Sequence, residues 1–572
     1  MFRILVSTIA TGLAVASVVA TAAPAAQTPV ARTSGGVRVT LAPQLSSTGT
    51  QEFLGRLIVV FSRESTPEPR LGIKFTGNQI FGADVTGLAP GKSVVVGAEA
   101  RGYPIASLTL LPTGDYFVQA VLVRYAEVTR ADGHRIRVPA HPTRDSIALQ
   151  EGNLYSDVER VHIAKGVPPT VQLKLMHVMA EPAPPADTEW LRTVRIKSEI
   201  LSKFWGMPIY LGARVLLPAG FAEHPQQRYP IVYLLNHGEQ PFGFDPDPKT
   251  GNEDWLGEGS NVQTGYEFYQ TWKSADMPRF VVASIYEASP YWLEAYAVDS
   301  ANNGPYGQAL TEELLPYLEK QFRALDKPYA RIVEGASTGG WETLALQLHY
   351  PDYFGGAWVY NPDPISFHHW QLIDIYQDTN AHRVRVGGWQ EQDRPYRRTV
   401  DGQVVATVPE MDRFETAMGS HGRGDSQLDI WFATYGPVGA DGYPVPLWDR
   451  ESGTIHPEVA RYMRDHGYDL TAYLDSHWDT LHGPLSGKIN IINGEMDNYY
   501  LNLAVYDFEA MVRRHGDEHF ARFVYGRPRK GHNWHHVSFS EMLREMAVHI
   551  HRNAPAGEDD RWWAQSGAAA RQ

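Results

Sequence analysis

In the second half of the chain the apolar positions come in unbroken runs. Ile231 to Leu235 in "YPIVYLLNHGEQ" are five consecutive apolar residues. "FVVASIYE" (280–287), "ARIVEGAS" (330–337), "KINIINGEMD" (488–497) and "ARFVYGRP" (521–528) carry similar runs. Such runs fit strands covered on both faces, as in a parallel sheet. Between them "TEELLPYLEKQF" (311–322) has helical spacing, with Thr311 as its expected cap. Strand and helix alternate, which predicts an α/β domain over residues 190–552. The rhythm breaks between about 380 and 487, a Trp-, Tyr- and Arg-rich stretch that reads as an insertion over the top of the sheet, with Trp389 and Trp448 as candidates for a pocket wall. Before residue 180 the pattern is different. "RLIVVFSR", "GDYFVQAVLVRY" and "TVQLKLMHV" are strand-like and are separated by turn clusters such as "GLAPGK" and "LLPTG". Short strands with regular turns predict a β-sandwich-like accessory domain over 27–180. The Pro- and Ala-rich residues 181–189 read as a linker, and 553–572 as a polar tail.

Composition adds compartment and excludes some functions. Arg3, an apolar stretch from Ile4 to about Ala20, and small residues near Ala22 to Ala26 form the three-part pattern of a secretory signal at 1–26. The expected location is therefore secreted or periplasmic. There is no cysteine, which excludes disulfides and lipid attachment through a lipobox. No later stretch is long and apolar enough to span a bilayer, so no membrane anchor is expected. The net charge of -14 argues against nucleic acid as a partner.

The chemistry concentrates at Gly335-Ala336-Ser337-Thr338-Gly339. This is G-x-S-x-G between a strand and a helix. A turn that sharp crowds its neighbours, lifts the serine hydroxyl above the sheet edge and brings helix N–H groups, including that of Thr338, to the same place. A serine needs a base and the base an orienting carboxylate, following in the order Ser, acid, His. Asp497 lies just past the strand in "NIINGEMDNYY", with Glu495 as rival. His532 follows the last strand in "FVYGRPRKGHNWHH", before a helix expected near Ser538. His535 and His536 compete with it, and H-x-x-H-H also admits a metal reading, but carboxylates at ligand spacing are lacking and no metal is expected. Two donors must hold the developing oxyanion. The backbone N–H groups of Thr338 and of Glu239, which follows His237-Gly238, are the candidates. His368, His369 and Trp534 are expected to contact substrate.

Three segments resemble the Putative esterase family of α/β-hydrolases, which includes feruloyl and acetyl-xylan esterases, enterochelin esterases, S-formylglutathione hydrolases and mycolyltransferases. "YPIVYLLNHG" resembles the family's Y-P-V-L-Y-L-L-H-G strand, with Asn236 as an extra residue. "GASTGGWETLALQLHYPDYFGGAWVYNP" resembles its nucleophile turn and helix, and "KGHNWHH" its G-G-H-x-W segment, with Lys530 replacing the first glycine. The resemblance covers about 190–375 and 487–550. It implies an α/β-hydrolase fold, Ser337 as nucleophile, His532 as base, Asp497 as acid and no cofactor. The expected activity is cleavage of a small-molecule or carbohydrate-linked ester, or of a siderophore ester. Acyl transfer on the same scaffold and a catalytically silent binding protein are the alternatives.

Overall fold

The computed structural model describes residues 35–45, 52–140, 150–165, 169–181, 183–237, 242–251, 254–256, 261–424 and 426–564. The expected signal segment lies outside the described residues, as does the tail from 565.

The apolar runs of the second half become eight strands: β1 (Leu191–Ser198), β2 (Ile209–Leu216), β3 (Ile231–Leu235), β4 (Val281–Tyr286), β5 (Arg331–Ala336), β6 (Gly356–Tyr360), β7 (Ile489–Gly494) and β8 (Ala521–Gly526). They form one sheet in the order β1-β2-β4-β3-β5-β6-β7-β8. The pairs β1/β2 and β2/β4 are antiparallel and all others are parallel. This is the sheet of an α/β-hydrolase. Every residue of β3, β4 and β6 is buried, as expected of strands covered on both faces by helices. Parallel pairing also brings the carboxyl ends of β3, β5, β6, β7 and β8 to one edge, where ligands enter such sheets.

One helix begins earlier than expected. It starts at Tyr306 rather than at Thr311, and Thr311 lies inside a π-turn over Leu310–Leu314. Its hydroxyl donates to the carbonyl of Gly307 at 2.8 Å instead of capping a terminus. Pro316 follows directly, and a residue without an N–H is accommodated by such a local change of register.

The strands of the first half share one hydrogen-bonded sheet. Its end strand Ser93–Val96 also touches Gln79–Leu88, so the sheet curls over its own core instead of forming two separate layers. Alternate residues serve different cores. Leu57, Val59 and Phe61 point into the core of this half, whereas Ile58 and Val60 join the core of the α/β half. That double burial is why "RLIVVFSR" carries an unbroken apolar run.

The two halves dock through the insertion. Two hairpins (Arg383–Val386 with Gln390–Asp393, and Pro395–Arg398 with Val404–Thr407) lead into the helices Val408–Met418 and Gln427–Tyr435. Inside, the Arg450 guanidinium pairs with Asp412, Glu415 and Asp429. A charge this well shielded from water needs all of those partners, and they lock the two helices together. Arg56 of the first half, itself 4% exposed, donates to the carbonyls of Thr416 (2.6 Å) and Ala417 (3.0 Å) at the end of the first insertion helix. Phe75 stacks on Tyr103 with ring centres 5.2 Å apart and meets Phe414 edge-on at 5.8 Å.

Gly82 lies in this seam. A Cβ there would stand 1.9 Å from the carbonyl oxygen of Ala417 and 2.7 Å from the Arg56 guanidinium. Gly82→Ala is therefore expected to push the seam apart and to lower stability by roughly 1–3 kcal/mol. Thermal unfolding reads this directly, and an unchanged melting temperature would show that the seam carries little of the stability.

Candidate active site

At the end of β5 the chain turns within one residue. Ser337 takes φ 58° and ψ -120°, and the helix Thr338–His349 starts immediately after it. Such a backbone is strained and persists only where its surroundings dictate it. Here they do. The N–H of Ser337 donates to the carbonyl of Tyr360 and the N–H of Asp363 to the carbonyl of Ser337, both at 3.0 Å. As the first helical residue, Thr338 has an N–H with no acceptor inside the helix.

Asp497 follows β7 and is fully buried. Its Oδ2 lies 2.7 Å from Nδ1 of His532. Its Oδ1 accepts from the N–H groups of Tyr499 at 2.8 Å and Leu501 at 3.3 Å. The rival, Glu495, is spent elsewhere: it accepts from the N–H of Arg529 at 2.9 Å and pairs with Arg527. His532 is fixed by its own N–H, which donates to Asn498 at 2.9 Å. With Nδ1–H directed at Asp497, its Nε2 is left as a proton acceptor. Burial disfavours charge on His532, yet the Asp497 carboxylate outweighs it and raises the imidazole pKa above its usual value. The neighbouring histidines have other partners. His535 approaches the carbonyl of Asn533, and burial lowers its pKa to about 4. His536 pairs with Glu545.

Ser337 and His532 line one cavity of about 1010 Å³. The insertion supplies much of its wall, through Tyr396, Phe414, Gln427 and Trp431. The residues expected there do not contribute. Trp389 is 97% exposed at a hairpin tip, and Trp448 is buried with its indole N–H on Asp412 at 2.8 Å. His368 and His369 turn away to Asp374 and Asp507. Trp534 packs over Gly526, where it fills the place a Cβ would take, and Asn533 and His535 face the cavity instead. Glu239 lies outside the described residues.

The sequence reading passed over a second histidine–carboxylate pair. Nδ1 of His237 lies 2.8 Å from Glu294, which is 1% exposed, and both residues line the cavity. Burial works against protonating His237, but the Glu294 carboxylate overcomes it and raises the pKa to about 9. Nε2 of His237 lies 3.3 Å from Oγ1 of Thr338. Behind this, Asp363 receives the hydroxyls of Tyr296 (2.5 Å) and Thr338 (3.1 Å), the indole of Trp431 (3.1 Å) and the amide of Gln427 (3.0 Å). The loop carrying Glu294 and Tyr296 is held by Glu287, whose carboxyl oxygens accept from Ala295 (2.9 Å) and Ala297 (3.2 Å). His237 and Thr338 lie in the segments already noted, but Glu294, Asp363, Gln427 and Trp431 belong to no short motif. They come together because β4, β3, β5 and β6 end side by side beneath an insertion helix.

Among solved structures, a ferulic acid esterase is similar at 14% identity and a TM-score of 0.35, over 64% of this chain and 98% of its own. The S-formylglutathione hydrolase from Agrobacterium tumefaciens follows at 12% identity and 0.33, over 64% and 98%. The fluorophosphonate-binding serine hydrolase F (FphF) of Staphylococcus aureus follows at 13% identity and 0.31, over 63% and 98%. Comparison with curated proteins by sequence gives no match. Residues 207–394, from the start of β2 to the first hairpins of the insertion, match the model of the family described as Putative esterase. This segment of the chain is similar to the Putative esterase family.

Proposed function

We propose that this protein is an exported serine esterase that works through Ser337, His532 and Asp497. The supporting observation is the 2.7 Å contact of His532 with buried Asp497 on the cavity that Ser337 also lines. The Ser337 hydroxyl attacks the ester carbonyl while its proton passes to Nε2 of His532. Asp497 holds the imidazole and stabilises its charged form. The N–H groups of Thr338 and Glu239 receive the oxyanion. His532 then hands the proton to the leaving alcohol, and water repeats the cycle on the acyl-enzyme. Aromatic walls suit an ester with a flat or apolar body. Resemblance to secreted esterases and the signal-like start favour a carbohydrate-linked or siderophore ester.

His237 is placed to assist. With a pKa of about 9 it carries a positive charge at neutral pH, close to the first turn of the helix that follows Ser337. Positive charge at that position adds to what the helix N-terminus offers a developing oxyanion.

Two measurements test this reading. With p-nitrophenyl esters, Ser337→Ala and His532→Ala should each lower turnover by several orders of magnitude, and Asp497→Asn should cost far more than Glu495→Gln. Near-native turnover by Ser337→Ala would reject the mechanism, and the reverse order of the two acids would move the third role to Glu495. The second concerns the His237–Glu294 pair. The folded pKa of His237, about 9, lies above the unfolded value near 6.5, so the folded state binds the proton more tightly. Its contribution to stability is fully present below about pH 6.5 and is lost as pH rises through about 9. The wild type should thus lose stability across this window relative to His237→Gln/Glu294→Gln, which removes the pair as a unit. Parallel denaturation profiles from pH 6 to 9.5 would contradict the protonated pair.

A further inference from the structure

Two cations at the cavity have no part in the proposed chemistry. Lys74 belongs to the first half of the chain and Arg397 to the insertion, and both line the cavity that holds Ser337. Neither has a carboxylate partner among the described residues. Arg383, Arg385, Arg394, Arg450 and Arg464 of the insertion, by contrast, each pair with a carboxylate.

Both side chains are exposed, and the backbone that carries each is fixed by its neighbours. Lys74 sits between Ile73 and Phe75, which also line the cavity, and Phe75 is pinned by Tyr103 and Phe414. The loop around it is closed by the N–H of Gly77 on the carbonyl of Lys74, and by the N–H of Asn78 on that of Gly72, each at 2.8 Å. Arg397 sits between buried Tyr396 and Arg398, and Arg398 donates to the carbonyl of Asp497 at 2.9 Å. The Arg397 guanidinium lies 5.3 Å over the ring of Tyr499, which in turn meets the ring of His532 at 5.0 Å. Only one aromatic ring separates this cation from the proposed base.

Among the described residues, the acids that line the cavity do not pair with these cations. Glu294 is committed to His237. Asp363 is filled by four donors. Burial pushes the carboxyl of Glu334 up to about 8, which leaves it neutral at neutral pH. Glu294 and Asp363 are thus engaged within the protein, and neither pairs with Lys74 or Arg397.

We propose that the cavity selects esters bearing an anionic group, a carboxylate in the first instance, which Lys74 and Arg397 hold beside the scissile bond. The inference rests on the esterase reading above and narrows its substrate class. It also gives the N-terminal half a direct part in specificity.

The test compares matched esters. One pair, mono-4-nitrophenyl succinate and 4-nitrophenyl butyrate, places the carboxylate on the acyl side. The other, 4-acetoxybenzoate and its methyl ester, places it on the leaving group. The wild type should favour the anionic member of at least one pair in kcat/KM. Lys74→Ala and Arg397→Ala should each lower that anionic-to-neutral ratio about tenfold or more, the loss expected for one charge-assisted contact. Lys74→Arg should restore most of it. An unchanged ratio in both alanine variants, or a wild type indifferent to charge in both pairs, would overturn the proposal. Equilibrium binding of 4-hydroxybenzoate and its methyl ester to Ser337→Ala keeps the two readings apart. Preference for the anion that vanishes in Ser337→Ala/Lys74→Ala/Arg397→Ala supports the anionic subsite whatever the fate of the triad, and equal binding of the two probes rejects it.

Discussion

The site depends on the closeness with which three strand ends and one helix meet at Gly335–Gly340. A Cβ on Gly339 would stand 1.8 Å from the carbonyl oxygen of Leu235, one on Gly335 2.3 Å from that of Gly339, and one on Gly340 2.7 Å from that of Tyr360. No side chain fits at any of these points. With bare Cα atoms there, the helix sits directly on the ends of β3, β5 and β6, and Ser337 has nowhere to go but into its left-handed turn. The rest follows from pairing. β7 lies beside β6 and leads to Asp497, and β8 lies beside β7 and leads to His532, so His532 and the carboxylate it contacts reach the serine's cavity through sheet register.

Charge is the second constraint. Acids taken from water must find donors or take up a proton. Asp497 finds His532 and two backbone N–H groups, Asp363 finds four side chains, and Glu294 finds His237. Glu334 finds no such partner, and its pKa rises instead. The same rule orders the insertion around Arg450. Lys74 and Arg397, which have no carboxylate partner among the described residues, line the cavity, where a ligand can supply one.

The alternation of apolar runs and the glycine turn were legible because each is local or depends on position next to a strand end. Asp497 could be preferred to Glu495 from its distance past Gly494, and the structure pairs Asp497 with His532. The cavity walls were not legible. Trp389 and Trp448 look alike in the sequence, yet one stands in solvent and the other is buried on Asp412. His368 and His369 follow β6 as pocket residues would, but Asp374 and Asp507 draw them aside. The Glu294–His237 pair joins residues on two different loops, and Phe75 reaches the cavity from the far half of the chain. Such contacts depend on docking between elements, which periodicity does not encode. The first half likewise read as two layers because strand alternation gives each strand two faces, without saying that the second face serves another domain.

The central claim is that Ser337, His532 and the start of the following helix act together on one acyl carbon. A crystal structure of the protein after reaction with diethyl p-nitrophenyl phosphate tests this most directly. The account predicts a phosphoryl group on Oγ of Ser337, one phosphoryl oxygen facing the Thr338 N–H, and Nε2 of His532 within hydrogen-bond distance of a phosphorus-bound oxygen. A phosphoryl group on another residue, or one on Ser337 with His532 turned away from it, would contradict the account.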